Sequence, residues 1–375
     1  MQKKKILLLS VSAGAGHKRA AEALLACAQQ NRPELEVRHI DMMQLVTAAF
    51  RKIYTDFYLK LVSRAPNLWG YLYRASNDVQ ADSALQRLRR QIERLNALPF
   101  EKAIRDFAPD AIICTHFLPA EILSRLIRKG RLHCPVWVQV TDFDLHKMWV
   151  QENMHGYFAA NEEIADRMQQ QGIAAERIHV TGIPVMPGFS QLPDRAECMR
   201  QLGLRADMPT VLLMSGGAGT GDLVSNATTV LQCGLPLQLL VLTGKNHRAM
   251  TALQRLQISG PASLQVFGFT DQVERLMVCA DFVITKPGGL TSAECLAAGV
   301  PMIVNSPIPG QEERNADYLL EQGVALKACD GISLGYKVRH LLQHPAQLAD
   351  MRARAKRLGK PDATERVMRI VSEAI

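Results

Sequence analysis

Short runs, most of them bulky and apolar and alternating with helical stretches, restrict this chain more than any other feature of it. The runs fall at 4–10, 35–40, 110–115, 135–140 and 156–160, then restart as "PTVLLMSGG", "LQLLVLTG", "LQVFGF", "DFVITK" and "PMIVN". Runs that are apolar throughout, rather than alternating, are buried on both faces, as in a parallel sheet covered by helices on each side. A Pro/Gly-rich stretch at 181–193, "TGIPVMPGFSQLP", interrupts the pattern, and 375 residues are too many for one ordinary core. The expectation is an α/β protein of two Rossmann-like, doubly wound domains facing a cleft. Their spans are 1–190 and 191–375, with the last helix free to pack back on the first domain. Ligands belong at the carboxyl ends of the strands.

Composition narrows the partners. No stretch approaches the roughly 20 uninterrupted apolar residues of a membrane-crossing helix, and "MQKKKILLLSVSAGAGH" enters a glycine turn too soon for a secretory signal. The 8 cysteines show no CxxC and no histidine at zinc spacing, so they read as reduced, mostly buried thiols. A cytoplasmic location follows as the expectation. The formal net charge of +8 favours an acidic partner: nucleic acid, an anionic membrane or a polyanionic substrate. The basic residues are dispersed and no RNP-like aromatic strand accompanies them, which argues against nucleic acid.

Two motifs carry chemistry. "SVSAGAGHKRAAEAL", residues 10–24, is strand, glycine turn and helix, with Gly14 and Gly16 in the turn and His17 at the helix start. A helix N-terminus disfavours the imidazolium, leaving a neutral ring able to accept a proton; the plainer role is a hydrogen bond within the loop. The second motif, "DFVITKPGGLTSAECLAAGVPMIVNSPIPGQEERNADYL", spans 281–319. Its strand ends at Lys286 and Pro287, and Gly288 and Gly289 turn into a helix whose first N–H groups suit a phosphate. Glu294, one turn into that helix, can accept both hydroxyls of a ribose. Gln311, Glu312 and Asn315 supply amide and carboxylate groups for the hydroxyls of a sugar. A lone GG turn or a lone helical glutamate is commonplace; the set at these intervals is not.

In this order the motifs resemble glycosyltransferase family 28, the inverting enzymes of the GT-B fold. "SAGAGHKRAAEAL", "VTDFDLHKMW" and "ANEEIADRMQQQGIAAERIHVTGIPV" are similar to its diacylglycerol branch. The resemblance implies a UDP-sugar co-substrate and no metal or other cofactor. It puts the diphosphate at Gly288, Gly289, Leu290 and Thr291, the ribose on Glu294, and the hexose on Gln311, Glu312 and Asn315. Backbone groups near Phe269 in "VFGFTD" would pair with uracil, and Gly216 and Gly217 in "SGGAGTGD" would form a second glycine turn beside the donor. The loop of Gly14 and Gly16 would face the donor phosphates. Ala15 stands where the family has its middle glycine, and would be strained if that position needed positive φ.

Two residues compete for the base that deprotonates the acceptor: His17, and Asp142 at the end of the strand 135–140. Asp142, Phe143 and Asp144 also spell DxD, the metal motif of the other glycosyltransferase fold. Two Rossmann halves argue against that use, because helix N-termini can neutralise a leaving diphosphate. His146 and Trp149 read either as acceptor contacts or as packing.

Residues 50–75 are unlike a minimal Rossmann unit. Phe50, Ile53, Tyr54, Phe57, Tyr58, Leu61 and Val62 share one helical stripe, with Arg51, Lys52, Lys60 and Arg64 off it and Trp69 beyond. Such a stripe is either core or an interfacial segment, and "RLRRQIERL" at 87–95 adds arginines. A lipid acceptor favours the second, with Phe57, Tyr58 and Trp69 at the acceptor or membrane. The expected function is transfer of glucose or galactose from a UDP-sugar to diacylglycerol or a related lipid, at an anionic membrane's inner face. A UDP-sugar epimerase and a non-catalytic, membrane-associated UDP-sugar sensor are the rivals. The hexose, the number of sugars added and the oligomeric state stay open.

Overall fold

The computed structural model describes residues 3–12, 14–46, 99–215 and 222–375. The stripe at 50–62, its basic neighbours, Phe57, Tyr58, Trp69, Gly216 and Gly217 lie outside the described residues. The chain divides into two compact units. The first comprises Met1–Pro187, Ile308–Gln311 and Asp362–Ile375, the second Gly188–Pro307 and Glu312–Pro361.

The first unit is built on a sheet of β1 (Lys4–Ser10), β2 (Leu35–Asp41), β3 (Ala111–Cys114), β4 (Val136–Gln139), β5 (Gly156–Ala159) and β6 (Ile178–Val180). Its order is β2-β1-β3-β4-β5-β6, with every pair parallel. Leu8 sits opposite His39 on one side and Ile113 on the other. Ile6, Leu7, Leu8 and Leu9 are all fully buried, which is why β1 tolerates no polar alternation. On one face Ile6, Leu8, Ile113 and Phe158 pack with Ala21 and Leu24 of the helix Ala15–Asn31 and with Val367, Met368 and Val371 of the helix Ala363–Glu373. Polar contacts fasten that last helix to the same unit. Arg32 pairs with Glu365, the Cys27 thiol donates to Glu365 at 3.1 Å, and Thr364 Oγ1 donates to the Val185 carbonyl at 2.6 Å. Burial, reinforced by the Glu365 carboxylate, pushes the Cys27 thiol up to about 12, so it remains a donor at neutral pH.

Glycine at 156 is required by close approach. In β5 it lies opposite Trp137, and a Cβ there would fall 2.2 Å from the indole ring, which itself stacks on Phe158 at 5.2 Å. Gly156→Ala is therefore expected to destabilise the protein by about 1–3 kcal/mol through overpacking. A denaturation midpoint equal to that of the parent would contradict this reading.

The second unit repeats the plan with β7 (Thr210–Met214), β8 (Gln238–Leu242), β9 (Ser263–Phe267), β10 (Phe282–Thr285), β11 (Met302–Asn305) and β12 (Ala325–Ala328), in the parallel order β12-β11-β10-β7-β8-β9. Val211, Leu213, Leu239, Val241, Phe282 and Ile284 form its core with Leu334, Val338 and Leu341 of the helix Gly331–Gln343. In each sheet the chain leaves one central strand in one direction and later returns on its other side. The switch points lie between β1 and β3, and between β7 and β10. At such a point the loops diverge from the carboxyl ends of the strands and leave a crevice for ligand.

Candidate functional site

At the first switch point, β1 leads through Gly14 into the helix Ala15–Asn31. Gly14 is extended (φ −175°, ψ 152°), and a Cβ on it would meet nothing within 4 Å. Ala15 is absent from the residues with positive φ, so the strain considered for it does not arise. It simply opens the helix. Side chains cap the helices that follow His116, Asn161, Asp194, Asp222, Asn246 and Asp330, but none caps the helix after Gly14. Its first N–H groups have no intrahelical acceptor either, which leaves donors where an anion would bind.

His17 is half-buried in the first turn of this helix. Its Nδ1 lies 3.0 Å from the Thr115 carbonyl oxygen and 2.9 Å from Thr141 Oγ1. A carbonyl only accepts, so Nδ1 carries the proton and Nε2 holds the lone pair. Thr115 is itself fixed, its hydroxyl donating to the His17 carbonyl at 2.8 Å. Desolvation pulls the imidazole down to about 4, opposed by the smaller effect of the Thr115 hydrogen bond. The ring packs edge-on against His116 at 4.5 Å and lies 5.9 Å from Trp149. The result is a neutral imidazole with an assigned tautomer, held by the loops that follow β3 and β4.

Asp142, just beyond β4, is buried, and its Oδ1 accepts from Gln311 Nε2 at 2.5 Å; both residues belong to the first unit. Asp144 pairs instead with Arg167 at 3.0 Å, so the two carboxylates of the DxD sequence serve different partners. Asn161 holds this loop, donating to the Phe143 carbonyl at 3.1 Å while capping the helix Glu162–Gln170. His146 Nδ1 accepts from the Met148 N–H and caps the turn Lys147–Trp149, and Trp149 is buried among His17, His116 and Phe117. These contacts give His146 and Trp149 capping and packing jobs in the first unit.

In the second unit, β10 ends at Thr285 and Gly288 precedes the helix Gly289–Ala297, again with no side-chain cap. Gly288 has an ordinary φ of −68°, and the nearest atom a Cβ would meet is Glu312 Oε1, 3.7 Å away. Neither conformation nor packing demands glycine there; what its absence of side chain leaves open is the approach to the helix terminus. The same distance sets the Glu312 carboxylate beside the turn. Leu290 faces inward, so only its N–H is offered, while Thr291 is partly exposed. Glu294 is buried, as is Asn315, whereas Gln311 and Glu312 are partly exposed on the helix Gln311–Glu321. Phe269, beyond β9, is 63% exposed, and Lys245 Nζ stands 5.6 Å from its ring centre. The structure thus adds Thr115, Thr141, Asn161 and Lys245 to the residues that sequence reasoning singled out. Two of them, Thr115 and Thr141, were signalled only by being threonines just past buried strands.

Two parallel doubly wound sheets, each with a glycine turn at its switch point, define the architecture of the GT-B fold. Solved structures agree on the fold. MurG of Acinetobacter baumannii superposes with a TM-score of 0.62 at 15% identity, covering 99% of both chains. The UDP-GlcNAc 2-epimerase of Neisseria meningitidis gives 0.57 at 12%, covering 98% of this chain and all of that one. Transferases and epimerases share this architecture, so the fold leaves the chemistry open. Sequence comparison is more specific. The monogalactosyldiacylglycerol synthase model matches residues 17–185, and the glycosyltransferase family 28 C-terminal domain model matches residues 210–367. The chain belongs to glycosyltransferase family 28, in its diacylglycerol branch, and is a hexosyltransferase of glycolipid biosynthesis. Among curated relatives, the processive diacylglycerol beta-glucosyltransferase of Bacillus pumilus is 28% identical over 99% of this chain and 95% of its own length. The protein of the same description from Bacillus subtilis is 26% identical over 97% and 94%.

Proposed function

We propose that this enzyme transfers glucose from UDP-glucose to the free hydroxyl of diacylglycerol, with inversion at the anomeric carbon. The observation that carries the mechanism is the contact of His17 Nδ1 with the Thr115 carbonyl oxygen, from which the tautomer follows. With its Nδ1–H committed to Thr115, Nε2 is the atom that accepts a proton. The acceptor hydroxyl gives its proton to Nε2 as its oxygen bonds the anomeric carbon. The bond from that carbon to the diphosphate oxygen breaks on the opposite side, and UDP leaves with the electron pair. Helix N–H donors after Gly288 receive the growing charge, worth most in a site that excludes water. Glu294 takes the ribose, Gln311 and Glu312 the hexose, and backbone groups near Phe269 the base. Asp142, bonded to Gln311, positions that amide rather than acting as the base. Asn315 is fully buried, and its role in this reading is to seat the helix rather than to touch sugar.

Glucose is chosen over galactose because full-length relatives bear that description, although the model matching the first half is named for a galactolipid synthase. Lipid products formed from UDP-glucose and UDP-galactose in vesicles containing diacylglycerol decide it. Glucolipid with little galactolipid is the expected result; galactolipid alone would overturn the choice of sugar. UDP release without added diacylglycerol at an equal rate would remove the lipid acceptor.

A further inference from the structure

The helix Gly331–Gln343 buries Leu334, Val338 and Leu341 against the second sheet. Its opposite face is not a conventional polar surface. Ile332 is 86% exposed, more than any other large hydrophobic among the described residues, and Tyr336, one turn on, is 57% exposed. The ridge continues at the same spacing of four. Tyr336 stacks on His340 at 5.8 Å and His340 on His344 at 4.2 Å. Lys337 Nζ stands 5.9 Å from the Tyr336 ring, and Arg339 is exposed nearby. The helix itself, "GISLGYKVRHLLQ", contains no carboxylate. The acid that precedes it, Asp330, accepts from the Ser333 N–H at 2.7 Å as the cap.

We propose that this ridge is a membrane-contact surface of the second unit, with Ile332 and Tyr336 entering the headgroup region of an anionic bilayer and Lys337 and Arg339 meeting lipid phosphates. The proposal rests on the reading that the acceptor is a lipid, since such an enzyme has to work at a bilayer. Three features select a bilayer over a protein. An isoleucine and a tyrosine one turn apart with flanking cations have the composition of an interfacial helix. Cations without carboxylates on the helix complement an anionic surface. A single ridge of two apolar side chains is far short of the roughly 800 Å² per partner that a stable protein interface needs.

The test uses the full chain with phosphatidylglycerol/phosphatidylcholine vesicles containing diacylglycerol. The variant Ile332→Ser/Tyr336→Ser is expected to lose about tenfold in vesicle partitioning by sedimentation, because both side chains forfeit their burial in lipid. Turnover on a dispersed short-chain diacylglycerol should match that of the parent, which also shows that the variant folds. In a separate variant, Tyr336→Trp, the emission added over that of the parent's three tryptophans should shift to shorter wavelength on vesicle addition and be quenched by brominated lipid. Unchanged partitioning, an unshifted Tyr336→Trp spectrum, or conversion by the double substitution of a dimer to a monomer with vesicle binding intact would each overturn the proposal. Absence of any diacylglycerol product from the parent protein would instead overturn the lipid-acceptor reading, with the vesicle result still read independently.

Discussion

Replacing His17 with alanine is expected to lower turnover on diacylglycerol by about 100-fold or more while UDP still binds, because a positioned general base contributes in the reaction and not in donor binding. The comparison that gives the result meaning is Asp142→Asn, which keeps the shape and leaves an oxygen for Gln311 Nε2 to bond. If His17 is the base, its removal costs far more. Near-normal turnover in His17→Ala beside collapse in Asp142→Asn would reverse the assignment. The pH profile gives a second reading of the same point. Desolvation holds His17 near 4, well below its usual 6.5, so the ring stays neutral across the range where an ordinary histidine becomes charged. Since the base acts only when unprotonated, kcat/KM should hold as pH falls through 6.5 and decline only on approach to about 4. A decline centred on 6.5 would contradict a desolvated ring.

Glu294→Ala should weaken UDP binding strongly. Charge-assisted hydrogen bonds to a carboxylate contribute about 1.5–3 kcal/mol each, so losing two from the ribose corresponds to well over tenfold in affinity. Because Glu294 is buried, Glu294→Gln serves as the companion: it keeps the volume and an acceptor, and should retain part of the affinity with unfolding like the parent. Calorimetry that found UDP bound as tightly by folded Glu294→Ala would remove Glu294 from the donor site.

The parts of the architecture most legible in sequence are the inner strands, buried on both faces. The inner strands β1, β3, β4, β5, β7, β8, β10 and β11 announce themselves as bulky runs such as Ile6 to Leu9, whereas the edge strands β2 and β9 are mixed runs, LEVRHID and SLQVF, that show only as a few apolar positions. β6 and β12 do not announce themselves. Each lies at a sheet edge, and Ile178–Val180 is only three residues long with all of them half-buried, while Ala325–Ala328 carries a lysine in its middle. An edge strand needs less apolar surface, so its sequence need not differ from a loop. The candidate site divides in the same way. His17, Asp142 and Glu294 carry their chemistry in side chains, which a reader of the sequence can weigh. The tautomer of His17 depends on a backbone carbonyl at Thr115, and a carbonyl has no residue type. Equally hidden was the bond from Gln311 to Asp142, 169 residues apart, because nothing local to either position records the other.

The helix Ala363–Glu373 has a consequence for the order in which this protein is made. Val367, Met368 and Val371 complete a core whose other members, Ile6, Leu8 and Leu24, emerge from the ribosome before the whole of the second unit. Until residues 363–373 follow, the first sheet carries an uncovered apolar face, and Arg32 and Cys27 wait without Glu365. Domains ordinarily fold in the order of synthesis; here the second unit can close before the first. A fragment ending at Pro187 would keep the nascent state permanently, with a sticky face that invites aggregation, and supplying residues 363–373 as a separate peptide is what should rescue it.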